Sequence, residues 1–107
     1  MAIGDQNYTA VADASGNARV EIRCRSRNRN WTVQQISAQM EGAPIGCICT
    51  VKKNSTFVTL LIPTGDSAAG DPPILLRGHS DILTVEWTGA TPGGVGTVLA
   101  IYDESAA

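Results

Sequence analysis

The alternation of apolar and polar positions breaks this chain into short strands. ARVEIRCR (18–25) alternates throughout: Ala18, Val20, Ile22 and Cys24 point one way, and Arg19, Glu21, Arg23 and Arg25 the other. A period of two over such a run marks a half-buried strand. DILTVEWTG (81–89) has the same form, with Leu83, Val85 and Trp87 on one face and Thr84, Glu86 and Thr88 on the other. In WTVQQISAQM (31–40) the parity changes. Trp31 and Val33 share a face, whereas Ile36, Ala38 and Met40 have the opposite parity, so a β-bulge is expected at Gln34–Gln35. YTAVAD (8–13), CICTVKKN (47–54), TFVTLLIP (56–63), ILLR (74–77) and TVLAIYDE (97–104) are the remaining strands.

The intervening stretches are rich in the residues that turns require. ASGN (14–17), EGAPIG (41–46), GHS (78–80) and ATPGGVG (90–96) are connections, and Asn54–Ser55 is a tight hairpin. TGDSAAGDPP (64–73) is expected to be the longest loop, exposed and mobile. About eight strands with regularly spaced turns and no helical pattern predict an all-β fold. The expected architecture is an antiparallel two-sheet sandwich, jelly-roll-like.

Composition adds to this picture. The 107 residues suit a single β-sandwich domain spanning 1–107, with residues 1–8 as an extended N-terminal arm. Aromatic residues are only 5% of the chain, so Val, Ile, Leu and Ala must build the core, with Trp31, Trp87, Phe57 and Tyr102 as the large pieces. No apolar run approaches the roughly 18–20 residues that span a bilayer. MAIGDQNYTA lacks the basic start and apolar stretch of a secretory signal, which points to a cytoplasmic site of synthesis.

Charge poses a sharper question. The formal net charge is −2, yet Arg19, Arg23, Arg25, Arg27 and Arg29 crowd into ARVEIRCRSRNRN (18–30). A nucleic-acid patch usually belongs to a basic domain with aromatics interleaved for base stacking, and only Trp31 lies near this run. The arginines are therefore read as a solvated strand face and a contact for a protein partner.

Catalytic and metal-binding patterns are weak. His79, Ser80 and Asp81 are consecutive, and neighbours in sequence do not converge as base, nucleophile and orienter. No enzyme is expected. Cys24, Cys47 and Cys49 are odd in number, which argues against a disulfide framework. On a strand, Cys47 and Cys49 would lie roughly 6–7 Å apart, too far for a bond that needs Cβ atoms about 4 Å apart. The three are expected to be small reduced core residues. With His79 they lack the paired spacing of a zinc site, and no metal or other cofactor is expected. Asp66 and Asp71 lack the dense oxygen pattern of a calcium loop. GATPGGVG is followed by a strand and lacks the Lys-Ser/Thr of a phosphate-binding loop. Trp31, beside a loop, is the one aromatic placed to stack on a sugar, although its alternation points inward.

DASGNARVEIR, NWTVQQISAQ, CTVKKN, PTGDSAAGDPPILLR and DILTVEWTGATPGGVGTVLAIY resemble stretches of small β-sandwich virion structural proteins of tailed bacteriophages infecting actinobacteria. The resemblance runs from about Asp13 to Tyr102. It departs from the group's pattern at Gly78-His79-Ser80-Asp81, where a Pro-Gly-Asp turn is expected. It implies a non-enzymatic role in the virion, assembled in the host cytoplasm. The first expectation is a capsid decoration protein that binds the outer shell in many copies and stabilises it. Its partners would be the major capsid protein or further copies of itself, in a trimer or another ring, with no specific nucleic acid and no membrane. The arginines Arg19, Arg23, Arg25, Arg27 and Arg29 would make the partner contact. A minor tail or tail-tip protein, or a receptor- or glycan-binding module using Trp31, are the alternatives.

Overall fold

The computed structural model describes residues 2–24, 27–78 and 80–106, with only the backbone described at residues 2 and 69–72. Its strands are β1 (Ala2–Val11), β2 (Ala18–Ile22), β3 (Arg29–Met40), β4 (Ile48–Lys53), β5 (Thr56–Leu61), β6 (Asp66–Arg77), β7 (Leu83–Thr88) and β8 (Val95–Ala106). They form two four-stranded sheets, of order β1-β8-β3-β6 and β2-β7-β4-β5. All pairings are antiparallel. This is the strand order of a jelly roll, in which each connection except the β4–β5 hairpin carries the chain from one sheet to the other.

Most of the expected faces are present. Leu83, Val85 and Trp87 of β7 are fully buried, and Ala18, Val20 and Ile22 of β2 lie under the same sheet. The irregularity in β3 is real. Val33 pairs with Tyr102 and Gln35 with Ile101, leaving Gln34 as an extra residue. Trp31 and Val33 on one side of it, and Ile36, Ala38 and Met40 on the other, all reach the core. Asn54 and Ser55 both have positive φ, 49° and 70°, as the twist-matched two-residue hairpin between β4 and β5 requires.

Three expectations need correction. Residues 2–8 are not an arm, because β1 pairs with β8 from Ala2↔Glu104 to Val11↔Val95. Only its second half is legible in YTAVAD, because two inward positions of the first half are Gly4 and Gln6. Gly4 allows the Tyr102 ring to approach, and an added Cβ would sit 2.8 Å from Tyr102 Oη. The supposed long loop 64–73 is largely the first half of β6. Ala69 pairs with Gln35 and Ile74 with Val33, so the chain bulges across 70–73. An edge strand tolerates prolines at such a bulge, and β3 supplies the pairing that the small side chains do not advertise. Phe57 is 60% exposed and plays no part in the core. Met40 and Leu76 are fully buried in its stead.

The core centres on the two tryptophans. Trp31 stacks on Tyr102 with ring centroids 3.9 Å apart, and its Nε1 donates to Glu104 Oε1 at 3.0 Å. Trp87 lies under Gly96, where an added Cβ would be 2.8 Å from Trp87 Cζ3 and 3.0 Å from Met40 Cε. Gly96→Ala is therefore expected to destabilise the fold by about 1–3 kcal/mol, the usual cost of overpacking. Urea unfolding would measure it, and an unchanged midpoint would mean that the ring moves aside freely.

Candidate functional site

Jelly-roll connectivity gathers the loops at two opposite ends. The molecule measures 41 × 23 × 22 Å. A twelve-residue strand spans about 40 Å, so the long axis follows the strands. At one end lie the β2–β3, β4–β5 and β6–β7 connections, and at the other the β1–β2, β3–β4, β5–β6 and β7–β8 connections.

The first end is basic. Arg23 and Arg27 are exposed in the β2–β3 connection, and Arg29 is exposed at the start of β3. Arg77 joins them from the end of β6, opposite Asn30, and the Gly78 N–H donates to the Arg29 carbonyl at 3.0 Å. Lys53 stands at the adjacent hairpin. The second end contains Asp13, Glu41 and Asp66, and its connecting segments hold no Lys or Arg. The cationic groups of the connections thus gather at the first end, where Asp103 and Glu104 of β8 also lie, level with Thr32 and Trp31.

The arginines expected to act together are divided. Arg19 lies on the outer face of β2, 3.4 Å from Glu21 and paired in register with Glu86. Its charge is met within that face, and it is not part of the basic end. The strand stops at Ile22, so Arg23 stands beyond it. Arg25 lies outside the described residues. Arg77 was missed because nothing in ILLR links it to a loop some fifty residues earlier.

One network holds the basic end in place. Asp81 is buried, and its carboxylate accepts from Asn54 Nδ2 at 3.0 Å, Arg77 N at 3.0 Å and Arg77 Nε at 3.2 Å. Asn54 in turn accepts from Ile82 N at 2.8 Å through its side chain and donates its own N–H to the Ile82 carbonyl at 2.8 Å. The β6–β7 connection is thereby fastened to the β4–β5 hairpin. The Asn54 hydrogen bond, aided by the bonds and charge of Arg77, holds the Asp81 carboxyl at about 2 although burial pushes it upward.

The residues considered for chemistry have structural roles. Ser80 Oγ donates to the Arg77 carbonyl at 2.9 Å, and His79 lies outside the described residues. All three cysteines are free and buried. Burial pushes the Cys49 thiol up to about 12, aided by the charges of Cys47 and Asp66, and raises Cys47 as well. Neither supplies a thiolate near neutral pH. The Asp66 carboxylate accepts from Ile62 N and Ser67 N, which forms the β5–β6 turn, while the Asp71 side chain lies outside the described residues. Among the described residues no three His, Cys, Asp or Glu side chains group as a metal site would require. Trp31 is 2% exposed with one face covered by Tyr102, so it offers no sugar platform. A shallow open depression on the outer face of the β1-β8-β3-β6 sheet is lined by small and polar groups including Ser37, Gln39, Ser67 and Thr97.

Comparison of the chain with protein-family models, curated proteins and solved structures finds no match.

The Asp81 network makes two predictions. Asp81→Ala leaves the Asn54 amide and the Arg77 N–H without an acceptor and should cost about 2–4 kcal/mol in urea unfolding near pH 7. Because the folded carboxyl titrates below the ordinary value of 3.8, its contribution is present above that value and is lost as pH falls towards about 2. The gap between wild type and Asp81→Ala should therefore shrink by about 2 kcal/mol over that window. A gap independent of pH would show that the carboxylate charge is not what fastens the turn.

Proposed function

We propose that this chain is a non-enzymatic virion structural protein of a tailed phage, a capsid decoration protein that binds the outer shell in many copies and stabilises it. The observation that carries the reading is the basic end, where Arg23, Arg27 and Arg29 are exposed while the carboxylates Asp81 and Glu104 at that end are engaged by Asn54, Arg77 and Trp31. Guanidinium groups pair with carboxylates in a forked geometry and are enriched at protein interfaces. An end of this kind suits an acidic surface on a shell protein. The acidic opposite end then faces outward. A single contact of this size is weak, and repetition over a lattice makes it firm. The motif resemblance from Asp13 to Tyr102 supplies the virion context, and the jelly-roll topology is one widely used by capsid proteins.

A minor tail protein would use the same end on a different partner. Gold labelling of intact particles with an antibody to this chain separates the two: label over the heads supports decoration, and label confined to tails replaces it. The burial of Trp31 leaves the glycan-binding alternative without its platform.

The contact itself is testable by charge reversal. Arg23→Glu combined with Arg27→Glu should abolish particle binding and leave the melting temperature unchanged, and wild-type binding should weaken at raised salt. Wild-type binding by that variant would remove the basic end as the contact. Particles stripped of the protein should release DNA at a lower temperature than coated ones, and equal release would remove the stabilising role.

A further inference from the structure

The only phenylalanine of the chain is turned out of the core by a bulge. On β5, Leu61 is buried opposite Cys49, and Thr59 is half-buried opposite Val51. Regular alternation would place Phe57 on that same inward side. Val58 is an extra residue, so Phe57 falls opposite Lys52 and comes out on the outer face of the sheet with Leu60. It is 60% exposed there. An aromatic side chain is among the largest pieces a small core can bury, and a bulge that forgoes it re-aims the ring.

Phe57 joins an apolar stripe two strands wide. Leu60 is 57% exposed, Ile62 60%, and Ile48 of β4 51%. Thr50 stands beside Leu60 and Lys52 beside Phe57, and one step beyond the Cys49–Leu61 pair Ile48 stands beside Ile62. The bulky Phe57 and Leu60 thus lie on β5, with a small and a flexible side chain next to them on β4. The charges bordering the stripe are matched within the same face. Lys52 Nζ lies 3.7 Å from Glu86 Oε1, and Arg19 lies 3.4 Å from Glu21. The face therefore presents no unmatched charge to an incoming surface.

We propose that two copies of this chain dock face to face through the outer side of β4 and β5, about a two-fold axis that runs along the strands between them. Each side chain then lies over its own register neighbour in the second copy: Leu60 over Thr50, Phe57 over the stem of Lys52, and Ile62 over Ile48. Bulky positions meet small or flexible ones, and a lysine against an aromatic face is a favourable contact. A two-fold contact needs a patch complementary to itself, because one surface supplies both sides. An apolar stripe with its charges already paired meets that need, since no like charges come to lie opposite each other. The bonds that Ile62 N and the Leu60 carbonyl make along the edge stay in place, because the contact is through the face. Each copy contributes on the order of 400–500 Å² of apolar surface, the size of the largest patch on an ordinary monomer. Two such patches bury about 1,000 Å², the lower bound for a specific interface, so a reversible, concentration-dependent dimer is expected. This face builds a pair and not the trimer suggested by the sequence resemblance. The inference does not depend on the virion reading.

Sedimentation of the purified full chain over a concentration series tests it. Wild type should pass from monomer to dimer. Leu60→Lys on the edge strand and Ile48→Lys one strand in should each remain monomeric with an unlowered melting temperature. Ile3→Lys, at an 81% exposed position of the other sheet, should dimerise as wild type does. Hydroxyl-radical footprinting of wild type reads the same contact if the variants fail to fold: labelling of Phe57 and Leu60 should fall as concentration rises, and that of Ile3 should not change. A wild type that stays monomeric throughout, a dimer that survives in folded Ile48→Lys, or a dimer in which Phe57 is labelled as in the monomer overturns the proposal. So does a Phe57 that is shielded only on particles, because a different protein then covers it.

Discussion

The sandwich depends on one extra residue in β3. This strand lies between β8 and β6 and supplies the core from both of its ends. Side chains alternate across a strand, so a regular ladder that buries Trp31 and Val33 would turn Ile36, Ala38 and Met40 to solvent. Gln34 shifts the parity once, and both halves face inward. Its own side chain goes outward to Asp103, with Nε2 donating to Oδ2 at 2.9 Å. The bulge across 70–73 of β6 falls at the same level, so both strands change register together. Without that shift one half of the sheet would lose its contact with Leu83, Val85 and Trp87 opposite.

With the core secured inside, the surface divides by end and by edge. The basic loops cluster where Asp81 fastens the β6–β7 connection to the β4–β5 hairpin, and the acidic loops lie at the far end. The apolar stripe of β5 runs along one side between them. These features lie in different directions, so a contact at the basic end leaves the stripe uncovered. Buried Asp81 serves the basic end indirectly, by fixing the backbone that carries Arg77.

Alternation revealed most of the fold, because β2, β7 and both halves of β3 each have an apolar side facing a core. It failed where burial does not require an apolar residue. Gly4 is turned inward and gives space to Tyr102, and the first half of β6 is built from small residues on an edge. Neither leaves a hydrophobic signature. Phe57 misled in the other direction, since an aromatic in a short apolar run was assigned to the core by composition alone. TFVTLLI was in fact too apolar at both parities for a strand with one solvent-facing side, which was the legible sign of an exposed stripe. The arginine run was visible, but its division was not. Whether Arg19 belongs with Arg23 depends on where β2 stops, and Arg77 is brought in only by tertiary pairing.

The pairing of β1 with β8 has a consequence in time. Strand β8 follows every other strand in the chain and is the one that sits between β1 and β3. During synthesis at the ribosome, the earliest strand to emerge has no neighbour in its sheet until the latest one arrives. Closing that gap requires contacts between residues nearly a full chain length apart, which is slow in all-β proteins of this kind. Until then β3 lacks one of its two ladders, and its bulge has no partner to set its register against. A chain stalled before β8 would thus hold an incomplete sheet with exposed apolar faces, the state in which newly made chains aggregate.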